Sequence, residues 1–576
     1  MRTEIQNIFG VILLALLAVS FPLQADADQI DADWQKEIEG VSQATITAII
    51  KAATTQVSSG PDRPLPLVSS WEYGWADRMG PGNWKFNPNP NVYNEGWFSP
   101  GSQMKMIQEG VFLLPALAFS QGSLETWEKQ KAYFVPAFKA LRENGLPFSF
   151  VSSQWEAILA KDPRFTDLPP AENPNVVTPE GKILPKLDPF APTKNWYEAG
   201  RQLTENPCLA KMQEIYPDPP RVIFVSNNEQ PTLYWFELEQ SQRYLDKFGA
   251  GQFDDFKRHA IAQAWKEKYR ALQEGMRDGL TSPAWKKGAT FIGYSGAAPF
   301  AAMGMFPNWA RYSIHSHNDL VPQATMWDGA APSYYLHAFR KISDYTVESP
   351  QIESMSLVEA LKTIYKINPG FWFELSVWDG ATQPGSKTPS KVQGFREAGQ
   401  IWNEDRYAGF IQYGLWLLRP RVLREYRVEY RTQNLAGMES SFRAMAACVG
   451  RVHHSEVLKK FWGEGEVVAN PADENPYRHN LPVAVRKWPR WFLLDVDINP
   501  QPPLKLDTVI PVYSLALKRG KKPERQWLVY AHSPLGKHNG VKITIPEYGE
   551  ITMDTTPGGG FAVIDEKTRA ESVLDD

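Results

Sequence analysis

The chain has 576 residues, is 43% hydrophobic and 22% charged, and carries a formal net charge of -4. That length supplies a large core, in two or more domains or in one large barrel with an appendage. The near-neutral balance, with no basic stripe, argues against a nucleic-acid partner.

Taken in chain order, the first feature is a targeting segment. Arg2 precedes an apolar run at 8–23 (IFGVILLALLAVSFPL), and Gln24-Ala25-Asp26-Ala27 follows. This is the layout of a secretory signal peptide, residues 1–27, cleaved near Ala27. The run is shorter than the roughly 20 residues of a membrane span and is broken by Pro22. No cysteine follows it to take a lipid. The mature protein is therefore expected to be secreted or periplasmic, with no membrane attachment after cleavage. Residues 28–60 form a helical lead-in, with helical periodicity over 31–57.

From 61 to 485 short apolar runs alternate with amphipathic stretches. The runs are LPLVSSW (65–71), VFLLPALAF (111–119), LPFSFVSSQW (146–155), RVIFV (221–225), ATFIGY (289–294) and GFWFELSV (370–377). A weaker strand falls at YSIHSH (312–317) or near Trp327. Residues 240–279 and 357–367 are helical, and 407–418 leads into a helix-like block reaching about His454. The Pro- and Asn-rich stretch 160–220 reads as a long surface excursion. Repeated strand-then-helix units predict an α/β protein with a parallel sheet. Their number and length favour a (β/α)8 TIM barrel with long loops. A doubly wound sheet competes, but no Gly-rich phosphate turn follows the early strands. Residues 486–576 change to short alternating runs between Pro, Gly and charged turns, which predicts a C-terminal all-β sandwich-like domain. Trp527 and His532 are assigned to its core.

Barrels of this kind work at the C-terminal ends of their strands. Two carboxylates are read at such ends, Glu229 after VIFVSNN and Glu374 in GFWFELSVWDG. If Glu229 closes the fourth strand, the units between them place Glu374 on the seventh. Two carboxyls about 5 Å apart suit double displacement at an anomeric carbon, and about 6.5–9.5 Å suits inversion through water. Asn227 and Asn228 sit beside Glu229. Trp71, Trp155, Tyr294, Trp327 and Trp378 lie at or just after strands, where rings either stack on sugars or fill the core. Glu72 and Glu156 are rival carboxylates without a preceding Asn. Arg311, His315 and His317 are available to a substrate or to a sulfate on it.

An Asn-Glu after the fourth strand and a Glu on the seventh resemble the clan A retaining glycoside hydrolases, the (β/α)8 group that includes β-galactosidases, β-agarases and many endoglycanases. The resemblance implies Glu229 as acid/base, Asn228 at the sugar 2-hydroxyl and Glu374 as nucleophile. It implies a β-linked poly- or oligosaccharide substrate, with galactans and sulfated algal glycans among the candidates, and no cofactor. A small β domain after the barrel is similar to many members.

Three other readings stand beside it. An exported carbohydrate-binding barrel without activity would share the aromatics. The His315-Ser316-His317 pair resembles the first ligands of barrel metallohydrolases, but lies mid-chain with no later ligand set, so no metal site is assigned. Gly293-Tyr294-Ser295-Gly296-Ala297 approximates a nucleophile elbow, but ends in Ala with Pro299 close behind. Only Cys208 and Cys448 are present, in no metal-type spacing, and the sequence leaves one bridge or none.

Overall fold

The computed structural model describes residues 64–70, 77–78, 84–85, 103, 106, 112–120, 122–152, 155–226, 235–251, 255–293, 321–331, 333–335, 358, 361–378, 404–425, 435–469, 512–533 and 536–574. The signal segment, the 28–60 lead-in, Trp71, Asn227, Asn228, Glu229, Tyr294, His315 and His317 lie outside the described residues.

Eight parallel strands form a nearly closed, TIM-like barrel. In chain order they are β1 (Leu67–Ser70), β2 (Ala116–Ala118), β3 (Phe148–Ser152), β4 (Val222–Ser226), β5 (Ala289–Gly293), β6 in two pieces (Gly329–Ala330 and Ser333–Tyr335), β7 (Trp372–Trp378) and β8 (Val422–Glu425). Each pairs with its chain neighbour from β2 to β8, and β8 pairs with β1. The remaining seam, β1 to β2, is joined by the parallel bridge Val68–Leu113. There the Val68 amide donates to Phe112 O at 2.9 Å and the Leu114 amide to Val68 O at 2.8 Å. A doubly wound sheet has two free edges and is excluded by this closure.

The register defines the barrel's geometry. Leu67 pairs with Val422, and Val422 with Glu374. Two residues below Glu374, Trp372 leads through Gly329, Ile292, Val225 and Val151 to Ala118. Five residues below Ala118, Leu113 returns to Val68, one residue above the start. Offsets of two, five and one make a shift of eight residues per circuit, the shear of a TIM barrel.

The strands are buried on both faces, so their sequences are near-continuous apolar runs. Val222–Ser226 is wholly buried. Outside the sheet, Phe148 and Phe150 meet Phe138 of α1 (Leu124–Glu143) and Trp285 far along the chain, and Phe224 packs on Phe150 and stacks on Phe291 at 5.3 Å. Two expectations are corrected here. The stretch 160–220 is not a mere surface excursion. It contains α3 (Thr193–Thr204), which follows the short α2 (Ala157–Lys161) and buries Trp196, Ala199 and Leu203. The block running to His454 is not helix throughout, because β8 interrupts it between two helices, α6 (Glu404–Leu418) and α7 (Leu435–His454).

Helix α3 lies against α4 (Asp255–Gly279) at very close range, and α5 (Pro283–Gly288) follows. A Cβ on Gly275 would lie 1.9 Å from Tyr197 O, and one on Gly200 2.0 Å from Leu272 O. Backbone carbonyls cannot rotate aside as a side chain can. Gly275→Ala is therefore expected to cost about 3 kcal/mol, read as a lower midpoint in denaturant. Gly463→Ala, where a Cβ meets nothing within 4 Å, serves as control and should stay within about 0.5 kcal/mol of wild type or gain slightly.

Beyond α8 (Glu456–Glu464) the chain forms antiparallel sheets. The five-stranded sheet runs β9 (Glu466–Val467), β10 (Tyr513–Arg519), β11 (Gln526–His532), β14 (Gly560–Asp565) and β15 (Ala570–Leu574) in spatial order. Strands β12 (His538–Ile545) and β13 (Gly549–Thr555) make a hairpin. One face of the sheet (Leu515, Leu517, Leu528, Tyr530, Phe561) joins the core of α6 and α8 through Phe410, Trp416, Phe461 and Trp462. The other face (Ala516, Trp527, Val529, Ile564) packs with Val541, Ile543, Ile551 and Met553 of the hairpin. Trp527 and His532 are fully buried, as core residues. Cys208 and Cys448 are both free and buried.

Candidate functional site

Glu374 is the candidate carboxylate whose surroundings are fully described. It is the third residue of β7, with four strand residues beyond it. The expectation that it closes the strand is thus corrected: Leu375 to Trp378 follow it in the strand, with Ser376 on its face. Its side chain is completely buried. Oε2 accepts from Arg424 Nε at 2.5 Å; Oε1 accepts from Arg424 Nη2 at 3.1 Å and from Trp372 Nε1 at 2.8 Å.

Arg424, on β8, is equally buried and donates from Nη1 to Ser69 Oγ of β1 at 2.9 Å and to Ser149 Oγ of β3 at 3.3 Å. A side chain from β8 reaches β3 only through the interior, so these four residues fill the barrel's inside. With one residue of shift per strand, Ser69, Ser149, Ile292 and Glu374 stand at one height, one from each odd-numbered strand. Arg424 stands one residue nearer the C-terminal mouth. This is the alternating layering of a TIM-type interior, with a charged pair where branched aliphatics usually sit. Ser69 Oγ passes its own proton to Leu114 O at 2.9 Å, and Ser149 Oγ to Pro115 O at 3.2 Å. All polar groups of the layer are thereby engaged.

Of the expected aromatic platforms, Trp155 and Trp327 belong to the core. They are 1% and 2% exposed. Their rings lie 5.7 Å apart, with Phe291 6.2 Å from Trp155 and Tyr269 5.0 Å from Trp327. Neither offers a free face to a sugar. Trp378 is the last residue of β7 and pairs in register with Tyr335 of β6. The rival Glu156 is buried beside Trp155 and accepts from the Tyr269 hydroxyl at 2.6 Å. Burial pushes its carboxyl up to about 7, against the pull of that hydrogen bond. Tyr269 sits on α4, so this acid occupies the layer between barrel and helices, away from the barrel's axis.

The sequence reading missed Arg424, Ser69 and Ser149. The signal was a polar residue inside a short, largely buried strand: Arg424 in VLRE, Ser69 in LVSS and Ser149 in FSFVS. Among the described residues no three His, Cys, Asp or Glu side chains gather in a group that would hold a metal. Among the same residues no helix is long and apolar enough to cross a membrane. No family model matches the chain, and no curated protein matches it.

Proposed function

We propose that the chain is an exported glycoside hydrolase that cleaves β-glycosidic bonds of a poly- or oligosaccharide at the C-terminal mouth of a (β/α)8 barrel. The observation that carries this reading is the strand count. In a barrel with a shear of eight, Asn227-Asn228-Glu229 directly follows the fourth strand and Glu374 lies on the seventh. Glu229 then gives its proton to the leaving oxygen while Glu374 attacks the anomeric carbon. In the second half Glu229 takes a proton from water, and the water oxygen displaces Glu374 with net retention. Asn228 holds the 2-hydroxyl. Trp71, Tyr294, Trp378, His315 and His317 are the residues this reading assigns to substrate binding. The C-terminal sheets form a sandwich-like domain that braces α6 and α8.

The depth of Glu374 favours a second reading, a carbohydrate-binding barrel without activity. Arg424 lies between its carboxylate and the mouth and occupies both oxygens. The two readings separate in one experiment, reducing-sugar release from algal, plant and microbial polysaccharides and aryl β-glycosides, with anomeric NMR on any product. On the first reading hydrolysis proceeds with retention, and Glu229→Gln lowers kcat by about 10²–10⁴-fold. Glu374→Gln abolishes turnover likewise. Binding of a glycan without hydrolysis selects the second reading, and full activity in Glu374→Gln removes that residue from the chemistry.

A further inference from the structure

The N-terminal end of the barrel, opposite the mouth, carries charge that the proposed chemistry does not use. Arg221 directly precedes β4, Arg421 directly precedes β8, and Trp372 opens β7. The guanidinium carbons of Arg221 and Arg421 lie 4.9 and 5.0 Å from the centre of the Trp372 ring. Sharing one ring centre, they are at most about 10 Å apart. Because β4 and β8 stand opposite each other in the strand order, the pair spans the barrel floor.

Neither arginine has a carboxylate partner among the described residues. Arg221 donates from Nη1 to Thr290 Oγ1 at 2.9 Å. The acid whose charge reaches Arg221 is Asp328, which precedes β6 and is already engaged. Its Oδ1 accepts from Arg270 Nη1 at 2.9 Å; its Oδ2 accepts the Phe291 amide at 3.1 Å and faces Arg277 Nη2 at 3.6 Å. Three arginines, Arg221, Arg270 and Arg277, thus share one carboxylate, and Arg421 has none among the described residues. Burial pushes the Arg221 guanidinium below the usual arginine range, and the neighbouring charge of Arg421 adds to this. Burial does the same to Arg421. Arg421 is partly buried and Arg221 more exposed, and two cations facing one ring with no anion between them repel each other. A guanidinium stacked on an indole keeps its planar fork of N–H donors directed outward from the edge, the arrangement that matches an oxyanion.

We propose that this end of the barrel binds a small oxyanion of the phosphate or sulfate type, held by Arg221 and Arg421 beside Trp372. A tetrahedral dianion presents acceptors in several directions, as donors arriving from opposite strands require, and its charge offsets the repulsion between the two cations. Chloride supplies charge without those directions.

The test is thermal unfolding of the full chain with inorganic phosphate and with sulfate at constant ionic strength, chloride serving as control, alongside calorimetric titration of phosphate. A saturable rise of the midpoint above the chloride control is expected. Arg421→Met and Arg221→Met should each weaken binding at least about tenfold, while Arg164→Met, on an exposed turn elsewhere, leaves it unchanged. Arg421→Lys keeps the charge without the fork and should bind several-fold more weakly than wild type, which covers the case of a methionine variant that does not fold. A rise that never saturates, or one of equal size and midpoint concentration in wild type and Arg421→Lys, is general salt exclusion and overturns the site.

Discussion

Arg424→Met should lower the unfolding free energy by about 3–5 kcal/mol, measured as a shifted denaturant midpoint. The variant keeps the stem of the side chain and deletes its donors. Glu374 is then left fully buried with one remaining contact, Trp372 Nε1 on Oε1. Ser69 and Ser149 each lose the proton donated to their hydroxyl oxygen. Most of the cost is the stranded carboxylate rather than the attraction removed, because desolvating both charges had already consumed much of that attraction. The decisive comparison is therefore the double variant Glu374→Leu with Arg424→Met. It should recover most of the loss, giving a coupling of at least about 2 kcal/mol in a double-mutant cycle. A single variant within about 1 kcal/mol of wild type would mean that water reaches Glu374 and that the charged layer is open.

His532→Phe should make the protein more stable and less sensitive to acid. The imidazole is fully buried, and neither ring nitrogen has a hydrogen-bond partner. It is enclosed by Phe410, Tyr413, Tyr513 and Tyr530, with centroids 5.0, 6.0, 5.2 and 5.7 Å away. Burial drives its pKa down to about 3. The sign follows from the neutral form being the one the fold accepts. Stability is fully present above the unfolded-state value, 6.5, and is lost as pH falls from there toward 3. The full shift corresponds to about 5 kcal/mol as an upper bound. Phenylalanine fits the same cage, removes two unpaired polar atoms and should gain about 1–2 kcal/mol at pH 7. Thermal melts of both proteins at several pH values between 7 and 4 should diverge as acid is added. Parallel curves would show that the ring is hydrated.

The barrel was legible because parallel strands covered on both faces have to be apolar runs, and VIFVS and FWFELSV carry that mark in the chain. Strand β8 was not legible. Its four residues, VLRE, hold two charged side chains, and the fold accommodates Arg424 through Glu374 across the interior. Such a partnership between residues 50 apart leaves no local periodicity. Glu374 was legible as an oddity in an apolar strand but not as a deep one, since strand ends cannot be placed to better than a few residues from sequence alone. Trp155 and Trp327 looked like platforms because they flank strands. Only the packing of Tyr269 from α4 and Phe291 from β5 turns their faces inward.

The charged layer also bears on how this chain can diverge. An apolar interior of equal volume would serve the barrel as well or better, yet replacing either Glu374 or Arg424 first leaves the other as a lone buried charge. Residues 374 and 424 are therefore locked by their dependence on one another, and selection would hold them in place whether or not any substrate touches them. Persistence of a glutamate at 374 in descendants of this chain would record that lock, and would not by itself be a sign of catalysis.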